Sequence, residues 1–239
     1  MLLAKNYQDL WKKHFSLFIR EKMPPYEEYL KLVRYYEEYL RNFSGKSVRY
    51  ILVAEAAPNN GAYVYNFDLP CGLMTPYFKQ VAKAFKIKHD IKLSAEKAKE
   101  ALTEFAKEGI LILDLFPFPI KYTSTRRNSL IQNGVVREFW DGDDYSIKTQ
   151  IQELCTTYKI SLDPNWDLCL IAPPIISTEI VENYNALDVK PCHNGVHDNE
   201  TFHAIHPHEL RKSKFKKVAV SKAGYPNATL IKIAFDLKY

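Results

Sequence analysis

Four near-continuous apolar runs of strand length, each opening into a loop of unusual composition, constrain the fold of this chain most. They occupy residues 48–54, 109–113, 166–172 and 217–221. A run without polar alternation reads as a strand covered on both faces. The intervening segments 76–85, 94–107 and 145–158 carry helical patterns, and 228–237 closes the chain as a further helix. Ser94 is placed to cap the second of these, with Glu96 in its first turn. Strands alternating with helices imply βαβ units and a parallel sheet, hence an α/β protein. Two more helices precede the first strand. Their apolar residues recur at three-to-four spacing, Leu10, Trp11, Phe15 and Phe18, then Tyr29, Leu30, Val33, Tyr36 and Leu40, with Pro24-Pro25 between them and Ser44-Gly45 as a stop. The chain thus reads as an N-terminal helical extension, 1–45, packed on a single domain, 46–239.

With 46% hydrophobic and 26% charged residues, the composition excludes a chain too polar to bury a core. No run approaches the roughly 18 apolar residues of a membrane span, and the start lacks the pattern of a secretory signal, so a cytoplasmic monomer is expected. Cys71, Cys155, Cys169 and Cys192 show no C-x-x-C spacing, which argues for buried free thiols. The 16 Tyr and 13 Phe serve either as core volume or as stacking platforms, and composition does not separate the two.

In open α/β sheets, ligands bind beyond the carboxyl ends of the strands. The first such end holds Glu55, followed by Asn59, Asn60, Tyr63, Tyr65 and Phe67. An acid and amides beside aromatic faces suit the positioning of a water and the sandwiching of a planar ring; the same residues also suit a solvated loop. The second end holds Asp114 ahead of Phe116-Pro117-Phe118-Pro119, whose prolines stiffen it into a candidate binding wall. Asp114 reads equally as a turn or capping acid.

The run Ile51-Leu52-Val53-Ala54-Glu55-Ala56-Ala57-Pro58 is similar to the strand-plus-Gly-Glu-Ala-Pro-Gly motif of thermophilic-type members of the uracil-DNA glycosylase superfamily. Asp68-Leu69-Pro70-Cys71-Gly72-Leu73 resembles the family's Gly-x-Pro-Phe-x-Gly segment. Residues 110–119 stand where the family has a strand ending in Asn, and residues 220–227 where it has a His-Pro-Ser loop. This resemblance covers roughly residues 47–239. It implies a three-layer α/β/α fold around a central four-stranded parallel sheet. It also implies that Glu55, with Asn59 nearby, orients the attacking water, that one of Tyr63, Tyr65 and Phe67 stacks on a flipped base, and that Asp114 faces the base edge. Asp114 replaces the family's Asn, and an ionised carboxylate only accepts, so it would reject the mixed edge of uracil. Lys222 is a looser substitute for the loop His. The family's cluster cysteines have no counterpart, so no iron–sulfur cluster or other cofactor is expected.

Five of the seven histidines fall between His193 and His208. They match no metal motif, so a solvated loop is expected and no metal. Lys121, Arg126 and Arg127 follow the second strand, and six cations lie between Arg211 and Lys222. Toward one sheet edge they, with Ser221 and Asn227, would meet a DNA backbone; otherwise they are solvated surface. The expected function is a DNA-binding, glycosylase-like protein that hydrolyses the N-glycosidic bond of a flipped base. Its alternatives are a degenerate nucleic-acid or nucleotide binder of the same fold and, third, a His-loop metallohydrolase.

Overall fold

The structure, a computed structural model, describes residues 6–18, 21–59, 62–66, 76–88, 94–184, 187, 215–218, 220 and 226–238. The chain runs α1 (Tyr7–His14), a 3-10 turn (Phe15–Phe18), α2 (Tyr26–Leu40), a second 3-10 turn (Arg41–Phe43), β1 (Ser47–Ala56), α3 (Pro76–Ala84), α4 (Ala95–Lys107) and β2 (Ile110–Phe116). It continues through α5 (Ser124–Gln132), α6 (Val135–Asp141), α7 (Ile147–Thr156), β3 (Ser161–Leu170), α8 (Pro174–Asn183), β4 (Phe215–Val218) and α9 (Ala228–Ala234).

The strands lie in the order β2-β1-β3-β4, with every neighbouring pair parallel. β2 is buried along its whole length and β1 along most of it, as continuous apolar runs require. Helices cover both faces. Tyr50 of β1 packs on Phe85 and Phe235, which follow α3 and α9, whereas Glu55, five residues on and of opposite parity, meets Arg127 of α5. β3 begins five residues before the apolar run. Its register against β1 shifts between Val48 and Tyr50, and the extra residues include Pro164, tolerated because an irregularity needs no ladder donor there.

Helix ends follow local chemistry. Ser94 caps α4 by accepting from the Lys97 N–H, and Ser146 with Thr149 forms a reciprocal capping box on α7. Gly109 joins α4 to β2 at φ 72°, and a Cβ there would lie 2.9 Å from the Ser47 carbonyl oxygen, so glycine alone fits. Periodicity does not reveal α5, α6 or α8. α5 buries only Leu130, α6 has seven residues, and α8 begins on the Pro173-Pro174 pair that reads as a loop.

α1 and α2 share one continuous core with the sheet. The Phe116–Pro119 segment, expected as a binding wall, is instead buried beneath them. Phe118 meets Tyr7, Trp11 and Phe18 at ring separations of 5.2, 5.1 and 5.5 Å, because apolar rings gain more under a helical cover than against a polar ligand. Cys169 is the buried free thiol expected, but Cys155 is disulfide-bonded, a pairing that spacing along the chain does not encode.

β2 is an edge strand, and side chains take the place of a neighbouring strand. Residues 110, 112 and 114 turn their backbone groups outward. Tyr39 donates to the Ile110 carbonyl; the Tyr65 hydroxyl accepts from the Ile112 N–H at 2.7 Å and donates to its carbonyl at 3.0 Å. Tyr145 and Gln150 Nε2 donate to the Asp114 carbonyl at 3.3 and 2.9 Å. An open edge invites strand pairing with other chains, and this hydroxyl ladder closes it. Tyr65→Phe leaves both groups of Ile112 unpaired and buried, so urea unfolding should show a loss of about 3 kcal/mol. A loss below about 0.5 kcal/mol would mean that water reaches this edge.

Candidate functional site

β1 and β2 run side by side with Ala54 opposite Asp114, so both residues face the same side of the sheet at its carboxyl end. There they line a cavity of about 40 Å³ with Ala56, Ala57, Pro58, Ala62, Tyr63, Val64, Tyr77 and Ile112. Small side chains open the space. That volume takes an ordered water or the edge of a planar ring, and is well below the roughly 300 Å³ at which whole-ligand pockets begin. Asp114 is the acid of this cavity. It is 4% exposed, and burial pushes its carboxyl up from the ordinary 3.8 to about 7. Tyr63 is 3% exposed, and its hydroxyl has no hydrogen-bond partner among the described residues. The Tyr77 hydroxyl is held by the Ile171 carbonyl at 2.6 Å.

Glu55 is not in this cavity. Strand alternation sends it to the opposite face, where Arg127 of α5 forks onto it, Nε to Oε1 at 2.5 Å and Nη2 to Oε2 at 2.7 Å. Burial raises the Glu55 carboxyl above its usual range, although the guanidinium pulls the other way. The same hydrogen bonds hold the Arg127 proton more tightly.

The other expected site residues divide three ways. Tyr65 does not present a stacking face: its ring lies on Tyr39 with centroids 4.3 Å apart and its hydroxyl is consumed by Ile112. Arg126 and Arg127, expected on phosphates, are engaged instead. Arg126 pairs with Glu21 at 3.1 Å and donates to the Lys121 carbonyl, and Arg127 is held by Glu55. Their spacing after β2 looked like a basic patch because their acids come from distant segments. Asn227 caps α9, accepting from the Thr229 and Leu230 N–H groups at 2.9 and 3.3 Å. Asn59 and Lys121 are exposed. Phe67, Ser221, Lys222 and the His193–His208 loop lie outside the described residues, as does most of the second basic stretch.

What surrounds Asp114 is not legible along the chain. Tyr36, Tyr63, Tyr65, Tyr77, Tyr122 and Tyr145 all feel its charge, and burial pushes every one of their hydroxyls upward. The high tyrosine count was the available signal, but tyrosines scattered from 36 to 145 do not advertise a common target. Among the described residues no group of His, Cys, Asp and Glu could hold a metal ion, and no helix is long and apolar enough to cross a membrane. No protein-family model, curated protein or solved structure matches the chain.

Proposed function

We propose that this chain is a uracil-DNA glycosylase-like nucleic-acid binder that takes the edge of a flipped base against Asp114. On this reading its core is the three-layer α/β/α arrangement around four parallel strands, and its partner is DNA. The observation that carries the reading is the cavity at the carboxyl end of β1 and β2, where Asp114 and the unpartnered Tyr63 hydroxyl are set among small apolar residues. Open α/β sheets bind ligands at this end. Extruding a base costs a few kcal/mol, and a dry pocket with a hydrogen-bonding floor offsets part of that. Lys121, in the segment after β2, is exposed, and on this reading it would meet phosphate.

Excision is the second reading, favoured by the position of Glu55 at the β1 terminus. In that reaction water oxygen bonds to the anomeric carbon, the carbon–nitrogen bond breaks, the base leaves with the electron pair, and the water's proton passes to a carboxylate and on to the departing base. A carboxylate forked by a guanidinium on the sheet face opposite the cavity is badly placed to take a proton from a water beside Asp114. The Glu55–Arg127 pair therefore supports binding over hydrolysis.

Single-stranded oligonucleotides carrying uracil, hypoxanthine, xanthine or an alkylated base separate the readings. Binding that weakens steeply with salt, is tighter for one of these strands than for its undamaged control, and yields no abasic product is expected. An abasic product that disappears in Glu55→Gln would assign excision. Absence of binding at low salt would overturn both.

A further inference from the structure

The base-binding reading raises a difficulty that the surroundings of Asp114 resolve. A carboxylate only accepts hydrogen bonds, and a neutral heterocycle such as uracil sets an N–H donor beside a carbonyl acceptor, so an ionised Asp114 would meet one half of that edge with repulsion. We infer that Asp114 works in this cavity as a carboxylic acid, one O–H donor beside one C=O acceptor, and thereby selects a planar heterocycle whose edge places an N–H next to an acceptor. The inference rests on the base-binding reading proposed above.

Geometry carries it. The Asp114 side chain is 4% exposed in a cavity otherwise lined by apolar residues and two tyrosines. Among the described residues no lysine or arginine is ion-paired with it. The chain's amino-terminal charge draws the Asp114 carboxyl down, less strongly than burial raises it. The other titratable groups that feel it, among the described residues, are phenols from every neighbouring element: Tyr36 of α2, Tyr63 and Tyr65 after β1, Tyr77 of α3, Tyr122 after β2 and Tyr145 ahead of α7. All are uncharged at neutral pH. The nearest acid on an adjoining strand, Glu55, has its charge matched by Arg127. A carboxyl so placed sheds its charge by holding its proton, as burial dictates.

Among the described residues, three polar atoms in this neighbourhood are buried without partners: the hydroxyls of Tyr36 and Tyr63 and the Gln150 Oε1, whose amide nitrogen holds the Asp114 carbonyl. Of these, the Tyr63 side chain lines the cavity itself. It supplies a further donor or acceptor beside the acid, so a ring edge entering here meets two hydrogen-bonding groups against apolar walls. A neutral acid offers the same donor–acceptor pair as a side-chain amide. The Asp thus keeps the reading of an Asn while adding a dependence on pH.

Two measurements on the intact protein test this. The first is a carbon-13 NMR titration of the Asp114 carboxyl, expected to place its midpoint near 7 rather than near 4. The second is the affinity for single strands containing uracil or 3-methyluracil, at pH 5.5 and 8.5, in the wild type and in Asp114→Asn. Uracil affinity of the wild type should fall by about tenfold or more between the two pH values, because the acid form is depleted. Asp114→Asn should bind uracil equally at both, and methylation of N3 should weaken binding in both proteins. A midpoint near 4, or wild-type affinity that ignores pH, overturns the inference and leaves base binding standing. A midpoint near 7 with no preference for any base-bearing strand overturns the base-binding reading, and the selectivity with it.

Discussion

Asp114→Asn raises the unfolding free energy at pH 8 by up to about 4 kcal/mol, and leaves it nearly unchanged at pH 4. The folded protein holds the Asp114 proton up to about pH 7, against 3.8 for a free side chain. Between those values the folded state binds more protons than the unfolded state, so stability falls as pH rises through the window and is flat above it. A difference of about three pH units, at about 1.4 kcal/mol each, sets the upper size of the effect. Asn has nearly the same shape and cannot ionise, so it removes the loss without opening a cavity. Urea unfolding of both proteins at pH 4, 6 and 8 measures the gap, which should widen stepwise with pH. A gap that stays constant across the series would mean that Asp114 is ionised throughout and that its desolvation is relieved by a group outside the described residues.

Phe118→Ala should lower stability by about 4 kcal/mol, the largest loss expected of a single truncation here. Phe118 is fully buried where α1, the following 3-10 turn and α6 converge, touching Tyr7, Trp11, Phe18 and Phe139. Removing the ring leaves a space that five-membered prolines on either side hold open, since Pro117 and Pro119 restrict the backbone that would otherwise collapse into it. Residues 7–18 should consequently become the first part of the chain cut by limited proteolysis. Ile233→Ala, at a side chain 43% exposed, serves as the control and should change stability by less than about 0.5 kcal/mol. Equal effects at the two positions would mean that the N-terminal helices lie on the domain without contributing to its core.

Much of the architecture was legible in the residues because it depends on local pattern. The first three apolar runs became parallel strands, the fourth meets β4 only at Lys217 and Val218, and the helices from Pro76, Ala95, Ile147 and Ala228 begin within two residues of their expected starts. Ser94 acts as the expected cap because a side-chain oxygen next to orphan N–H groups works at a range of three residues; Ser146 and Asn227 cap in the same way, although Asn227 was expected on a DNA backbone. α5 escaped notice for the complementary reason: with one buried residue it has no apolar stripe, and it is held by ion pairs to Glu21 and Glu55, both far away in the chain.

The candidate site was legible as a place and not as an arrangement. That the carboxyl ends of the first two strands are the place to look for a ligand follows from their direction, which the sequence by itself determined. Which side of the sheet each terminal acid faces does not follow. A strand buried on both faces shows no alternation, so Glu55 and Asp114 carry no mark of orientation, and the relative register of β1 and β2 that puts Ala54 opposite Asp114 is set by packing. Only the tertiary structure sent Glu55 to Arg127 and Asp114 into a cavity. Only it gathered six tyrosines from positions 36 to 145 around one carboxyl, because side chains that close an edge strand and exclude water from an acid are chosen by distance in space, to which separation along the chain is no guide.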